Sequence, residues 1–115
     1  MRRGEIRLVD LEPTRGSDAD KSRPAVIVSN DGANQAAERL RRGVVTIVPV
    51  TSKVDRVYPF QVMLPAAETG LQVDSKAQAE QVRSVAVERI GRRVGVVAPT
   101  VMDALDDALR LHLSL

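Results

Sequence analysis

The chain has 115 residues, a formal net charge of +2 and no cysteine, and Tyr58 and Phe60 are its only aromatic residues. This length is read as one domain over 1–115 with room for a real core, which must be built from Val, Leu, Ile and Ala. Cysteine-free chemistry excludes a disulfide framework and a thiolate nucleophile, and the small positive excess permits a nucleic-acid partner without demanding one.

Met1-Arg2-Arg3-Gly4 carries no apolar signal region, and no run is long enough to span a membrane. The expectation is a cytoplasmic protein with no membrane partner. Glu5 to Leu11 alternates apolar and polar residues, as a half-buried strand does. Residues 12 to 22 form a polar stretch punctuated by Pro13 and Gly16, long enough for a mobile functional loop. Ala25-Val26-Ile27-Val28 is a short apolar run suited to a strand buried on both faces. Pro24 lacks an N–H and is expected at that strand's first residue, where it also biases Arg23 toward an extended conformation.

Asp31 to Leu40 reads as a helix, with Asn30 or Asp31 as its cap and Gly43 just past its end. Val44 to Val50 is a second buried strand, ending in the hydroxyls of Thr51 and Ser52. A charged loop with Lys53, Asp55 and Arg56 leads to a third alternating strand, Phe60 to Leu64. Pro65 to Gly70 is expected as a turn, Val73 to Val87 as two short strands broken near Ala77–Ala79, and Arg92 to Val97 as the last strand. Pro99 suits the first turn of a closing helix, whose apolar stripe would hold Val101, Leu105, Ala108, Leu109 and His112. Many short strands with two helices imply a small, curled, mostly antiparallel sheet.

If the two buried strands are neighbours, Arg23 and Thr51 meet. An arginine fork beside a hydroxyl suits a phosphate group. Lys53 and Arg56 follow Thr51 closely and extend that positive region. Arg2-Arg3, Arg39 with Arg41-Arg42, and Arg92-Arg93 read instead as solvated faces. Glu80-Gln81-Val82-Arg83-Ser84 is polar at alternate positions, which fits either an exposed strand face or part of a site. His112 is the only histidine, so a two-imidazole acid/base pair is excluded. The acidic residues are scattered and no Cys/His set has ligand spacing, so no metal or cofactor is expected.

Arg3-Gly4-Glu5-Ile6, Val9-Asp10-Leu11-Glu12-Pro13, Arg23-Pro24-Ala25-Val26-Ile27-Val28-Ser29, Pro49-Val50-Thr51-Ser52, Tyr58-Pro59-Phe60 and Glu80-Gln81-Val82-Arg83-Ser84 occur in this order. As an ordered set they resemble the MazF/PemK-like toxins of bacterial toxin–antitoxin pairs, over essentially the whole chain. The resemblance implies an α+β, mostly β fold: an SH3-like barrel of short antiparallel strands with a terminal helix. It implies a homodimer that cuts single-stranded RNA (mRNA, rRNA or tRNA) without a metal, by attack of the 2′-hydroxyl. It further implies a MazE-like antitoxin whose flexible tail occupies the RNA site. In that family the arginine before proline and the threonine of Pro-Val-Thr are the catalytic pair, which map onto Arg23 and Thr51.

Beside that pair, Glu80 is the acidic residue nominated as base. Ser17, Ser52, Lys53, Arg56, Gln81 and Arg83 are candidates for holding RNA. Arg23 would stabilise the charge of the phosphorane, and Thr51 would hydrogen-bond the phosphate or the 2′-hydroxyl. Many family members carry Trp after Glu-Ile; here Arg7 stands there. The alternative is a gyrase-binding toxin of the same fold, although the ending His112-Leu113-Ser114-Leu115 lacks the aromatic-containing tail of such toxins. A plain nucleic-acid-binding barrel is disfavoured by the scarcity of aromatics for base stacking.

Overall fold

The computed structural model describes residues 1–11 and 22–115. Ser17 and nearly all of the expected polar loop lie outside the described residues; of that stretch, Ser22 appears as a strand residue. The elements in chain order are β1 Glu5–Asp10, β2 Ser22–Ile27, α1 Asp31–Leu40, β3 Val44–Thr51, β4 Gln61–Leu64, α2 Ala66–Thr69, β5 Ser75–Gln78, β6 Arg83–Ala86, β7 Ile90–Val96 and α3 Pro99–Leu113. Every ladder is antiparallel. The path runs β4-β5-β3-β2-β1-β7, with β6 also on β3.

The eight-residue, β-branched β3 is the hub. One edge takes β2, and the other takes β6 along Val44–Ile47 and β5 at Val50–Thr51. Among the described residues no ladder joins the end strands β4 and β7. They are drawn together by α2, which follows β4. A Cβ on Gly95 of β7 would sit 2.6 Å from the Thr69 carbonyl oxygen, a gap only glycine can occupy. In place of the expected barrel stands a curled seven-stranded sheet, with α2, which follows β4, packed closely against β7 at Thr69 and Gly95.

Both faces of this sheet are covered. Ile6, Val26, Val48, Leu64 and Ala77 pack with Met102, Leu105 and Ala108 of α3. Val9, Ala25, Ile27, Val45 and Ile47 pack on the opposite side with Ala37 of α1. Side chains alternate across a strand, so the unbroken apolar run of β2 serves both clusters. Each fully buried Val, Ile or Leu contributes about 1.5–3 kcal/mol through removal from water. Asn30 caps α1 by accepting the Ala33 N–H at 2.8 Å, and Arg41 ends it in the left-handed region at φ 53°.

Three expectations change in detail. Pro24 is the third residue of β2, opposite Leu8, and the ladder with β3 starts at the next residue, Ala25. Pro65 to Gly70 contains the single helical turn of α2, closed by Gly70 at φ 87°. His112 is exposed and lies outside the buried stripe, because α3 continues beyond the core after Leu109. Met102, which the stripe omitted, is buried in its place.

Candidate active site

The register of β2 on β3 pairs Ala25 with Pro49, Val26 with Val48 and Ile27 with Ile47. Carried two residues further, it sets Arg23 opposite Thr51. On the other edge of β3, Thr51 is paired with Lys76. Directly opposed residues of an antiparallel sheet share a face, so Arg23, Thr51 and Lys76 stand abreast on three neighbouring strands. Along this face Ala25 and Ile47 are buried, whereas Thr51 is half-buried and Arg23 exposed. The apolar cover ends just before the polar pair.

Arg23 and Thr51 line a groove of about 1050 Å³ together with Ser52 and Lys53. Its far wall comes from β7 and includes Arg92 and Arg93. Among the described residues four cations line this groove, and no Asp or Glu does. Among the described residues Arg23 has no ion-pair partner, which leaves its fork for a ligand. The Lys53 backbone N–H donates to Thr51 Oγ1 at 3.2 Å. That bond orients the hydroxyl and leaves its own proton to be donated into the groove. The surroundings suit a phosphodiester: a bidentate cation, an oriented hydroxyl and a wall carrying two further arginines.

The remaining candidates have other roles. Glu80 sits in a 3-10 turn, Ala79–Gln81, and does not line the groove. Its Oε2 accepts from Gln61 Nε2 at 2.7 Å, and Gln61 Oε1 accepts the Tyr58 N–H at 3.1 Å. Lys76 is only 7% exposed, and its Nζ donates to the Arg56 carbonyl at 2.6 Å, 5.9 Å from the centre of the Tyr58 ring. Together these side chains anchor the β3–β4 connection, residues 52–60. Arg56 is turned onto Tyr58, donating to its hydroxyl at 3.2 Å with the guanidinium 5.5 Å from the ring centre. Tyr58 in turn stacks on Phe60 with centroids 5.3 Å apart. Gln81 and Arg83 are exposed outside the groove, and Arg83 Nη1 donates to the Leu11 carbonyl at 3.4 Å.

Of the candidates read from the sequence, the groove thus brings together Arg23, Thr51, Ser52 and Lys53. It leaves out Glu80, Gln81, Arg83 and Arg56. It adds Arg92 and Arg93, which the chain pattern assigned to a solvated face. Their only local signal is adjacency, and the β1–β7 pairing that brings them to the groove is not legible in a linear reading. Arg7, at the position of the usual Trp, forms an ion pair with Glu5 at 2.7 Å and donates to the Gly91 carbonyl at 3.2 Å. Among the described residues no three His, Cys, Asp or Glu cluster as metal ligands.

The small curled antiparallel sheet is a fold shared with known proteins. This chain belongs to the PemK-like, MazF-like toxins of type II toxin–antitoxin systems, the family's pattern matching residues 2–113. Over 115 residues it is 63% identical to a Mycobacterium tuberculosis protein named endoribonuclease MazF9, covering all of this chain and 98% of that one. Over 57 residues it is 67% identical to the same organism's probable endoribonuclease MazF1, half of this chain and 61% of the other. The fold matches the Mycobacterium tuberculosis toxin MazF-mt6 with a TM-score of 0.76 at 24% identity, over 96% of this chain and 97% of that one. It also matches an endoribonuclease solved in complex with its cognate antitoxin, from a mycobacterial species, with a TM-score of 0.75 at 23% identity over 100% and 96% of the two chains.

Proposed function

We propose that this chain is a toxin acting as an endoribonuclease on single-stranded RNA, with Arg23 and Thr51 as its catalytic pair. The observation that carries the reading is their placement: facing each other by continuation of the β2–β3 register, in a groove whose charged lining residues, among those described, are all cationic. Full-length 63% identity to a relative named endoribonuclease supports the activity. The relatives described above give no support to the gyrase-binding alternative.

Cleavage by the 2′-hydroxyl rearranges only the RNA's own atoms. The 2′ oxygen bonds to phosphorus, its proton departs, and the 5′ oxygen leaves and gains a proton. The products are a 2′,3′-cyclic phosphate and a 5′-hydroxyl end. Arg23 offers two parallel N–H donors to the non-bridging oxygens, where negative charge accumulates in the phosphorane. Its high pKa makes it an electrostatic stabiliser rather than a proton donor. Thr51 donates its hydroxyl proton to the phosphate or holds the 2′-hydroxyl in line. Glu80 is assigned to the loop anchor instead of the base. Lys53 and Ser52 steady the flanking backbone.

The protein functions in the cytoplasm as a single-domain subunit of a homodimer, with RNA lying across the joint and a MazE-like antitoxin covering the groove. The test is incubation of purified protein with RNA oligonucleotides in excess EDTA, followed by end-group analysis. Cleavage that persists and leaves cyclic phosphate and 5′-hydroxyl ends is expected. Activity lost in EDTA and restored by Mg²⁺ or Mn²⁺ would overturn the mechanism, and no cleavage of any RNA would overturn the activity.

A further inference from the structure

β7 is irregular where it faces the groove. Ile6 to Val9 spans three steps of β1, while their partners Gly95 to Ile90 span five steps of β7. Two extra residues are therefore bulged into β7 around Arg92 and Arg93. In a regular strand adjacent side chains point to opposite faces, and a bulge breaks that alternation and re-aims them. Both arginines consequently line one groove. Glycines bracket the bulged segment. A Cβ at Gly91 would come within 3.0 Å of the Leu8 carbonyl oxygen, and one at Gly95 within 2.6 Å of that of Thr69. The segment is thus seated tightly against β1 and α2, with the arginines turned outward.

We propose that Arg92 and Arg93 form a second phosphate-binding wall, holding the RNA backbone at phosphates flanking the one that Arg23 and Thr51 attack. This rests on the endoribonuclease reading and extends it. A nucleic-acid backbone carries one negative charge per phosphate, whereas among the described residues four cations and no carboxylate line the groove. That excess matches several consecutive phosphates. β7 lies two strand positions from β2, roughly 10 Å at ordinary strand spacing, so the two walls engage different points along the strand. Both arginines are exposed, and among the described residues neither has an ion-pair partner.

The test uses the full chain and a fully 2′-O-methylated single-stranded oligonucleotide, whose blocked nucleophile prevents cutting. By fluorescence anisotropy, the Arg92→Ala/Arg93→Ala double variant should bind about tenfold or more weaker, with the slope of log K against log salt shallower by roughly 0.7 for each phosphate no longer neutralised. With unmodified RNA, KM should rise while the saturating single-turnover rate stays within about threefold of wild type, the pattern of weakened binding with intact chemistry. The double lysine variant should recover most of the affinity. Arg39→Ala/Arg42→Ala removes the same charge from exposed positions elsewhere and should leave affinity unchanged.

Unchanged affinity and salt slope in Arg92→Ala/Arg93→Ala overturns the proposal. So does an equal loss in the Arg39/Arg42 control, or a loss confined to an acidic peptide standing in for an antitoxin tail. A wild-type protein that cuts no RNA defeats the nuclease reading alone, and the anisotropy comparison still decides the role of the two arginines.

Discussion

Two polar regions lie one strand apart and use their residues in opposite ways. In the groove, Arg23 and Lys53 are exposed and Thr51 half-buried, with hydrogen-bonding capacity facing solvent. Beneath the β3–β4 connection, Lys76 and Gln61 are 7% and 8% exposed, and their polar atoms are committed to Arg56, Tyr58 and Glu80. A buried polar group left without a partner is costly, so Lys76 and Gln61 are satisfied internally and have little to offer a substrate, whereas the buried Oε1 of Glu80 has no hydrogen-bond partner among the described residues. The proposed catalytic groups stand where the fold leaves donors unspent. The comparison also explains the loop's basic residues: Lys53 stays available because Lys76 holds the backbone and Tyr58 holds Arg56.

The contrast can be broken most decisively at Arg23. Arg23→Ala should fold normally and lose on the order of a hundredfold to a thousandfold in single-turnover cleavage, as expected for removing a transition-state donor. Arg23→Lys should recover little, because an ammonium lacks the two-pronged fork. Circular dichroism confirms folding, and a folded Arg23→Ala that cuts within about threefold of wild type removes the site assignment. Thr51→Ala should cost less, about tenfold to a hundredfold, in line with a hydrogen-bonding rather than charge-bearing role. Thr51→Ser should restore most of that rate; equal loss in both would show that the methyl group, not the hydroxyl, is what matters.

The anchor region should answer through stability. Lys76→Met leaves the Arg56 carbonyl without its partner and should cost about 1–3 kcal/mol in urea unfolding, with a modest rise in KM as the connection loosens. Unaltered stability would mean the buried ammonium holds nothing. The smallest effect is expected for Glu80→Gln, which keeps an acceptor for Gln61 and should cut RNA within about threefold of wild type. A hundredfold loss in a folded Glu80→Gln protein would return Glu80 to the role of base.

The local elements were legible because their signals are local. The Asn30 cap, the apolar runs of β2 and β3, and Pro99 at the start of α3 each act over a few residues, and α1 runs from Asp31 to Leu40 as its pattern indicates. The placement of Arg23 and Thr51 in one groove was also within reach, since each stands at the end of a buried strand and only the adjacency of those strands had to be supplied. Glu80 was different. Its alternating neighbours Gln81 and Arg83 fit a site as well as an exposed face, and only the packing of the 3-10 turn assigns the carboxylate to Gln61.

His112 repeats the lesson for helices: its spacing continues the stripe, but the core ends before the helix does. The chain by itself therefore determined which segments are strands and helices and which residue types can handle a phosphate. Tertiary structure alone decided which of them share a groove. Bulging β7 past β1 and packing α2 against β7 at Gly95 are events between segments far apart in the chain, and no periodicity within either strand encodes them.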